Sequence, residues 1–410
     1  MSRRSGLLVG ALALLSAGLV TTTALGQAKP GAKYDAGASD TEIKIGHFNP
    51  YSGPVSAWGT IGKLQTAYYK MINEKGGING RKVTFVTYDD AYNPTKAVEQ
   101  TRKLVESDEV LGLFNPMGTA SNLAIQKYMN GKQVPQIFVS SGAVAFGNPK
   151  EFPWTMGWLN YGSEGRVYAR YLLQKKPDAR IALFYQNDDF GKGFVRGFRE
   201  ALGDKAASMI VAEATYEVTD PTIDSQIVKL KASGADVLFD MSAPKFAAQA
   251  IRKVAELGWQ PMHFLTSSSA QIGTVLKPAG LDNAKGIIST NYYKDSTDPH
   301  WKNDAAMKDW NAFMDKYYPE GDRSDTNNVY AYLVSEVIVQ VLKQAGDNLT
   351  RDNVMKQAAN LNKFSVPLLL PGVTITTSAT DYFPIEQLQL IQFNGETWDF
   401  IGGVIDGSSQ

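Results

Sequence analysis

An α/β protein of two similar lobes facing each other across a cleft is the fold this sequence predicts. Two observations carry it. Strand-like and helix-like segments alternate along the chain, and the alternation that begins near Ile43 begins again about 130 residues later with matching turn residues.

The first copy reads in order. Residues 43–48 alternate apolar and polar positions, as a strand does, and residues 61–72 carry the apolar period of a helix that stops at Gly76-Gly77. Residues 82–88 read as a strand, 95–105 as an amphipathic helix, 110–114 as a strand, 121–129 as a helix and 134–139 as a strand. This order argues for a mostly parallel sheet with helices on both faces.

The second copy keeps the order. Strand 181–185 leads into Phe190-Gly191, as 43–48 leads into Trp58-Gly59. Thr215-Tyr216 before Asp220-Pro221 matches Thr87-Tyr88 before Asn93-Pro94, with proline at a helix start in both. Helix 222–231 leads to strand 237–240, and residues 261–268 resemble 135–141.

Composition limits the partners. The 410 residues are 43% hydrophobic and 20% charged, with zero formal net charge. No basic stripe invites nucleic acid or an anionic membrane. There is no cysteine, so disulfides, thiolate metal sites and a lipid-bearing cysteine are excluded. His47, His263 and His300 sit in no metal-ligand spacing, and neither metal nor cofactor is expected.

Residues 1–26 read as a signal peptide. Arg3-Arg4 precede an apolar run from Leu7 to Val20, and Ala24-Leu25-Gly26 offers small residues for cleavage. The run is short for a membrane anchor, and the two arginines leave Sec and twin-arginine export both open. The glycine, alanine, serine and lysine of 27–40 read as a flexible leader. The mature chain is expected to be periplasmic, unanchored and monomeric.

In parallel α/β sheets ligands bind beyond the carboxyl ends of the strands. That rule selects Trp58, Met117-Gly118-Thr119 and Ser140-Ser141-Gly142 in the first copy. In the second it selects Phe190, Met241-Ser242-Ala243 and Ser267-Ser268-Ser269. Gly118-Thr119 stands before a helix start, where free N–H groups attract a carboxylate, and Ser140 and Ser141 add hydroxyls. Catalytic patterns fail. Gly191-Lys192-Gly193 lacks the frame of a phosphate loop, and neither a GxGxxG after the first strand nor a GxSxG elbow is present. Asp89-Asp90 and Asp188-Asp189 read as solvated turn carboxylates. No enzyme is expected.

Five stretches together carry a resemblance. They are Ile43-Lys44-Ile45-Gly46, Ser52-Gly53-Pro54, Asn73-Glu74-Lys75-Gly76-Gly77-Ile78-Asn79-Gly80, Tyr88-Asp89-Asp90 with Asn93-Pro94, and Phe190-Gly191-Lys192-Gly193. From about Glu42 onward the chain resembles the leucine/isoleucine/valine-type periplasmic binding proteins of ABC importers. The resemblance implies a type I periplasmic-binding fold of two Rossmann-like lobes joined by three crossing segments, which close around a small ligand. Crossings are expected near Gly157, Ser289–Tyr292 and Pro367–Thr374. Lobe 1 then comprises 41–157 and 290–370, and lobe 2 comprises 158–289 and 371–410. The partners implied are a small-molecule ligand and the membrane permease subunits of the importer.

By position the resemblance places the ligand carboxylate at Met117-Gly118 and Ser140-Ser141-Gly142, with Trp58 and Phe190 as aromatic walls. Ala243 and Ser268 stand where amino-acid binders tend to place a tyrosine and an acid for the ammonium, and Gly142 where a hydroxyl residue is often found. Tyr92 and Asn115 replace a cysteine pair of some members. An ammonium buried without an acidic partner costs several kcal/mol. The expected ligand is therefore a carboxylate without an α-amino group, aromatic or otherwise hydrophobic. Trp158 would add flat surface, and Asn327 or Ser268 would meet a distal polar group. The alternatives are binding of a branched-chain or other amino acid, and a sensor subunit that presents the ligand to a receptor.

Overall fold

The computed structural model describes Met1 and residues 31–408. The expected signal peptide and the start of the expected leader lie outside the described residues. Two sheets organise the chain. The smaller has four parallel strands in the order Lys82–Asp89, Glu42–Asn49, Leu113–Phe114, Gln136–Ile137. The larger has seven, in the order Trp398–Asp406, Gln387–Phe393, Ile288–Asn291, Met262–Leu265, Val237–Met241, Ile181–Gln186, Ile210–Tyr216. Its five strands from Ile181 to Asn291 run parallel, and the two carboxyl-terminal strands close the far edge antiparallel.

Each sheet places its second strand outside its first and its third and fourth on the other side. The internal repeat is thus a repeat of topology. This order makes the first crossover run one way and the next run back. Right-handed crossovers then put their helices on opposite faces. In the first lobe Thr60–Glu74 packs with Asn327–Ala345, and Pro94–Arg102 packs with Thr119–Lys132. Alternation in Glu42–Asn49 serves both layers: Ile43 and Ile45 join one core, and Phe48 joins the other with Leu113, Ile125 and Met129.

In the second lobe Tyr161–Lys175 and Asp189–Leu202 touch backbone to backbone. A Cβ on Gly165 would stand 2.2 Å from the Phe194 carbonyl oxygen, and one on Gly197 would stand 2.1 Å from that of Gly162. Two glycines therefore bring the amino-terminal ends of these helices, with Tyr161 and Phe190, side by side.

Boundaries shift for identifiable reasons. Strands expected at 110–114 and 134–139 shorten to Leu113–Phe114 and Gln136–Ile137, because Val139 and Gln136 bond to the returning chain at Met156 and Trp154. Asn93 caps its helix through Thr95 and Lys96, with Pro94 inside the first turn. Its counterpart Asp220 instead accepts from Glu217, and that helix starts at Asp224.

The chain crosses between lobes at Trp158–Asn160, after Ile288–Asn291, and just before Gln387. The third crossing falls later than the expected 367–374. Phe364 pairs with Ile375, Thr377 donates to Leu361, and the Tyr382 hydroxyl donates to Pro153, which holds 371–383 on lobe 1. The expected leader is likewise fastened from Lys33 onward. Lys33–Tyr34 pairs with Asn348–Leu349, the Tyr34 hydroxyl meets Asp40 and Arg81, and Asp35 accepts from Arg351 N–H. Composition concealed these anchors among small residues.

Glu336, on Asn327–Ala345 beside Tyr68 and Tyr332, has a buried Oε2 without a hydrogen-bond partner, and burial pushes its carboxyl up to about 7. Below about pH 4.5 the group is protonated folded and unfolded alike, so the penalty is absent. It grows as pH rises to 7 and is complete above that. Glu336→Gln should therefore raise the thermal midpoint by a few degrees at pH 8 and leave it unchanged at pH 4, as scanning calorimetry at the two pH values will show.

Candidate functional site

The carboxyl ends of the two sheets face each other, and a cavity of about 70 Å³ lies between them. Twelve of the sixteen residues singled out from sequence line it: Trp58, Met117, Gly118, Thr119, Ser140, Ser141, Gly142, Trp158, Phe190, Ser267, Ser268 and Asn327, while Met241, Ser242 and Ser269 lie outside the lining. Ala243 does not line it either. It is fully buried at the start of Pro244–Glu256, its N–H donates to the Tyr216 hydroxyl at 2.8 Å, and a methyl side chain extends no further.

One end of the cavity is a cluster of hydroxyls at the amino terminus of Thr119–Lys132. Thr119 Oγ1 lies 2.7 Å from Ser141 Oγ and 3.4 Å from the Tyr161 hydroxyl. The N–H of Gly142 lies beside the Tyr161 hydroxyl, and that of Thr119 beside the Tyr92 hydroxyl. Donors from both lobes thus converge where a helix start already favours negative charge. Gly142 has a steric cause. A Cβ there would stand 1.7 Å from the Leu159 carbonyl oxygen, in the first crossing segment.

Aromatic rings form the walls. Trp58 and Phe190 meet edge to face across the cleft with centroids 6.0 Å apart, and Trp58 Nε1 donates to the Ser268 carbonyl at 3.2 Å. Gly273 N–H of lobe 2 reaches the Ser324 carbonyl of lobe 1 at 3.3 Å. The lobes are therefore in contact around the cavity. Tyr161 stacks on Phe194 and meets Phe190 edge to face. Trp158 donates to the Tyr292 hydroxyl at 2.9 Å, and the Tyr330 hydroxyl links Asn115 to Ser140.

No Asp, Glu, Lys, Arg or His among the described residues lines the cavity. Three acids stand behind its walls, Glu164 and Asp90 fully buried and Asp188 partly so; a further buried acid, Asp325, accepts from the N–H of Asn327. Glu164 accepts from Ser267 N–H and Oγ, both at 2.7 Å, and from the Tyr168 hydroxyl at 2.8 Å. Asp188, expected as a solvated turn residue, caps Asp189–Leu202 through the N–H groups of Phe190 and Gly191 and accepts from Gln186. Asp90, also expected to be solvated, is fully buried and takes the Ser121 hydroxyl. Burial raises all three, Asp90 up to about 6. Among the described residues no group of three His, Cys, Asp or Glu could hold a metal ion.

Sequence reasoning missed five lining tyrosines, 92, 161, 292, 293 and 330, and also Gln271. Tyr92 followed a recognised turn, and its φ of 56° sets it off from ordinary loop residues. Tyr292 sat in an expected crossing. Tyr330 gave no signal, because its helix reaches the first lobe from far along the chain.

The family profile described as periplasmic binding protein matches residues 42–397. A curated relative from Brucella melitensis, Leu/Ile/Val-binding protein homolog 3, is 26% identical over 318 residues, covering 76% of this chain and 81% of that protein. A branched-chain amino acid ABC transporter protein from Thermus thermophilus with bound valine superposes with TM-score 0.78 at 16% identity, covering 89% and 96% of the two chains. A solute binding protein of an ABC transporter from Rhodopseudomonas palustris, in complex with 3,4-dihydroxy benzoic acid, superposes with TM-score 0.74 at 16% identity, covering 90% and 98%.

The contact at Gly142 gives a direct test of how the cavity is built. Gly142→Ala should lower stability by about 2 kcal/mol or more, through the clash with Leu159. Gly131→Ala, in the same lobe but with open space around its Cβ, should raise stability by about 0.5–1 kcal/mol. Denaturant titration of the two variants against the parent chain checks both signs.

Proposed function

The chain belongs to the periplasmic binding protein family, and from that premise we propose that it captures a small aromatic carboxylate without an α-amino group. We further propose that it is exported through its amino-terminal segment and delivers the ligand to the membrane permease of an ABC importer. The observation that carries the ligand class is the lining: hydroxyl and N–H donors at one end, aromatic rings along the walls, and no charged side chain.

A carboxylate suits the donor end. The Thr119, Ser141 and Tyr161 hydroxyls now face one another, and each can turn its proton to an anion at the helix start. An ammonium has no comparable site. Among the carboxylates behind the wall, Glu164 already has both oxygens occupied by Ser267 and Tyr168, and Asp188 and Asp325 are engaged by backbone N–H groups of Phe190 and Asn327. An unpaired buried ammonium costs several kcal/mol, more than one additional apolar contact returns. Size agrees with a compact ligand. The cavity of about 70 Å³ is bounded on both lobes by aromatic rings, as a compact, flat ligand requires. The dihydroxybenzoic acid of the Rhodopseudomonas palustris neighbour has this chemistry. The valine of the Thermus thermophilus neighbour carries an ammonium for which this cavity offers no acidic side chain.

A thermal-shift panel tests the reading. A ligand at 100 times its dissociation constant stabilises by about 2.7 kcal/mol, a readily measured upward shift. Benzoates or phenylacetates should include a hit, and leucine, isoleucine and valine should give none. Tight leucine binding would overturn the proposal. For the acid that binds, Ser141→Ala should weaken affinity by about tenfold, the scale of a hydrogen bond to a charged group. Unchanged affinity would place the carboxylate elsewhere. Small-angle scattering before and after saturation should show no expansion, since the bound state keeps the lobes together.

A further inference from the structure

Two amides on opposite lobes remain after the donor end and the aromatic walls are assigned. Gln271 follows the Ser267–Ser269 turn of lobe 2, and Asn327 opens the helix Asn327–Ala345 of lobe 1. Both line the cavity, with Gln271 only 1% and Asn327 6% exposed. Oε1 of Gln271 and Nδ2 of Asn327 are buried and make no hydrogen bond. The rest of each residue is held. Gln271 Nε2 donates to the Ser267 carbonyl at 3.4 Å, and Asn327 N–H donates to Asp325 Oδ1 at 3.1 Å. Asn327 Nδ2 stands near the same carboxylate without the geometry of a hydrogen bond to it.

Native interiors rarely leave such atoms unpaired, and an unpaired pair in a binding cavity points to a ligand group that completes them. The pair comprises one acceptor and one donor. A carboxylate or carbonyl only accepts, and an ammonium only donates. A hydroxyl does both: it can donate to the Gln271 oxygen while accepting from the Asn327 amide nitrogen. We propose that Gln271 and Asn327 together read a hydroxyl on the ligand, so that the cavity selects hydroxylated aromatic carboxylates over their unhydroxylated parents. This rests on the carboxylate reading above. Because the two amides belong to different lobes, the hydroxyl bridges them, and its recognition is coupled to closure.

The test is calorimetric titration of the unmodified protein with benzoate, 4-methylbenzoate, 3-hydroxybenzoate and 4-hydroxybenzoate. A hydroxylated acid should bind at least about tenfold more tightly than benzoate and 4-methylbenzoate, because the acids without a hydroxyl leave both amides unpaired. Gln271→Met and Asn327→Leu should each erase that advantage, so that hydroxylated and plain benzoates bind the variant with about equal affinity. Equal binding of hydroxylated and plain benzoates overturns the proposal and leaves the carboxylate reading standing. So does an advantage that survives both variants. Binding of leucine or valine with no benzoate bound at all overturns the carboxylate reading, and this proposal with it. The comparison of ligands on the unmodified protein decides the matter even if a variant fails to fold.

Discussion

A parallel strand hands its chain on at the same end every time. Four such strands therefore collect their outgoing loops along one edge of a sheet. Here two sheets with the same inner order turn those edges toward each other, and the loops of one become the opposite wall of the other. The cavity, its rings and its hydroxyls follow from this constraint. Trp58 and Phe190 meet because each leaves the first strand of its own sheet, and Tyr161 joins them because Gly165 and Gly197 let its helix lie against that of Phe190.

Loops collected in this way need support, and much of it is electrostatic. Asp90, Asp188 and Glu164 each sit behind one segment and accept from one or more of its hydroxyls or backbone N–H groups. Charge is thus present around the cavity but turned away from it. The surface lining the cavity carries no charged side chain among the described residues and is made of rings and of hydroxyls bonded to one another. In such a setting an anion gains from every hydroxyl that reorients, whereas a cation finds no partner to offset its lost hydration.

Much of this was legible in the sequence, because the information was local and duplicated. Alternating strands, helix periods and turn residues such as Asn93-Pro94 each speak for a few residues, and their recurrence after Ile181 announced the second lobe. The matched loops then supplied Trp58, Phe190 and the serines. What escaped depended on contacts between distant segments. Tyr330 reaches the cavity from a helix that returns to lobe 1 late in the chain, and Phe364–Ile375 pairing delays the last crossing. Ala243 shows the converse limit. Its loop position was inferred correctly, but a methyl group reaches nothing there. Gly142, read as a missing hydroxyl, is a steric requirement set by Leu159.

Three crossings between the lobes have a consequence of parity. A chain that changes sides an odd number of times finishes on the side opposite to where it started. The described ends obey this: Lys33–Tyr34 is stitched to lobe 1, and Trp398–Asp406 forms the outer edge of the seven-stranded sheet of lobe 2. Any change in the angle between the lobes would therefore alter the separation between the two ends. A pair of fluorophores placed there, away from the rings and hydroxyls of the cavity, would turn the polypeptide into its own calliper for any such change.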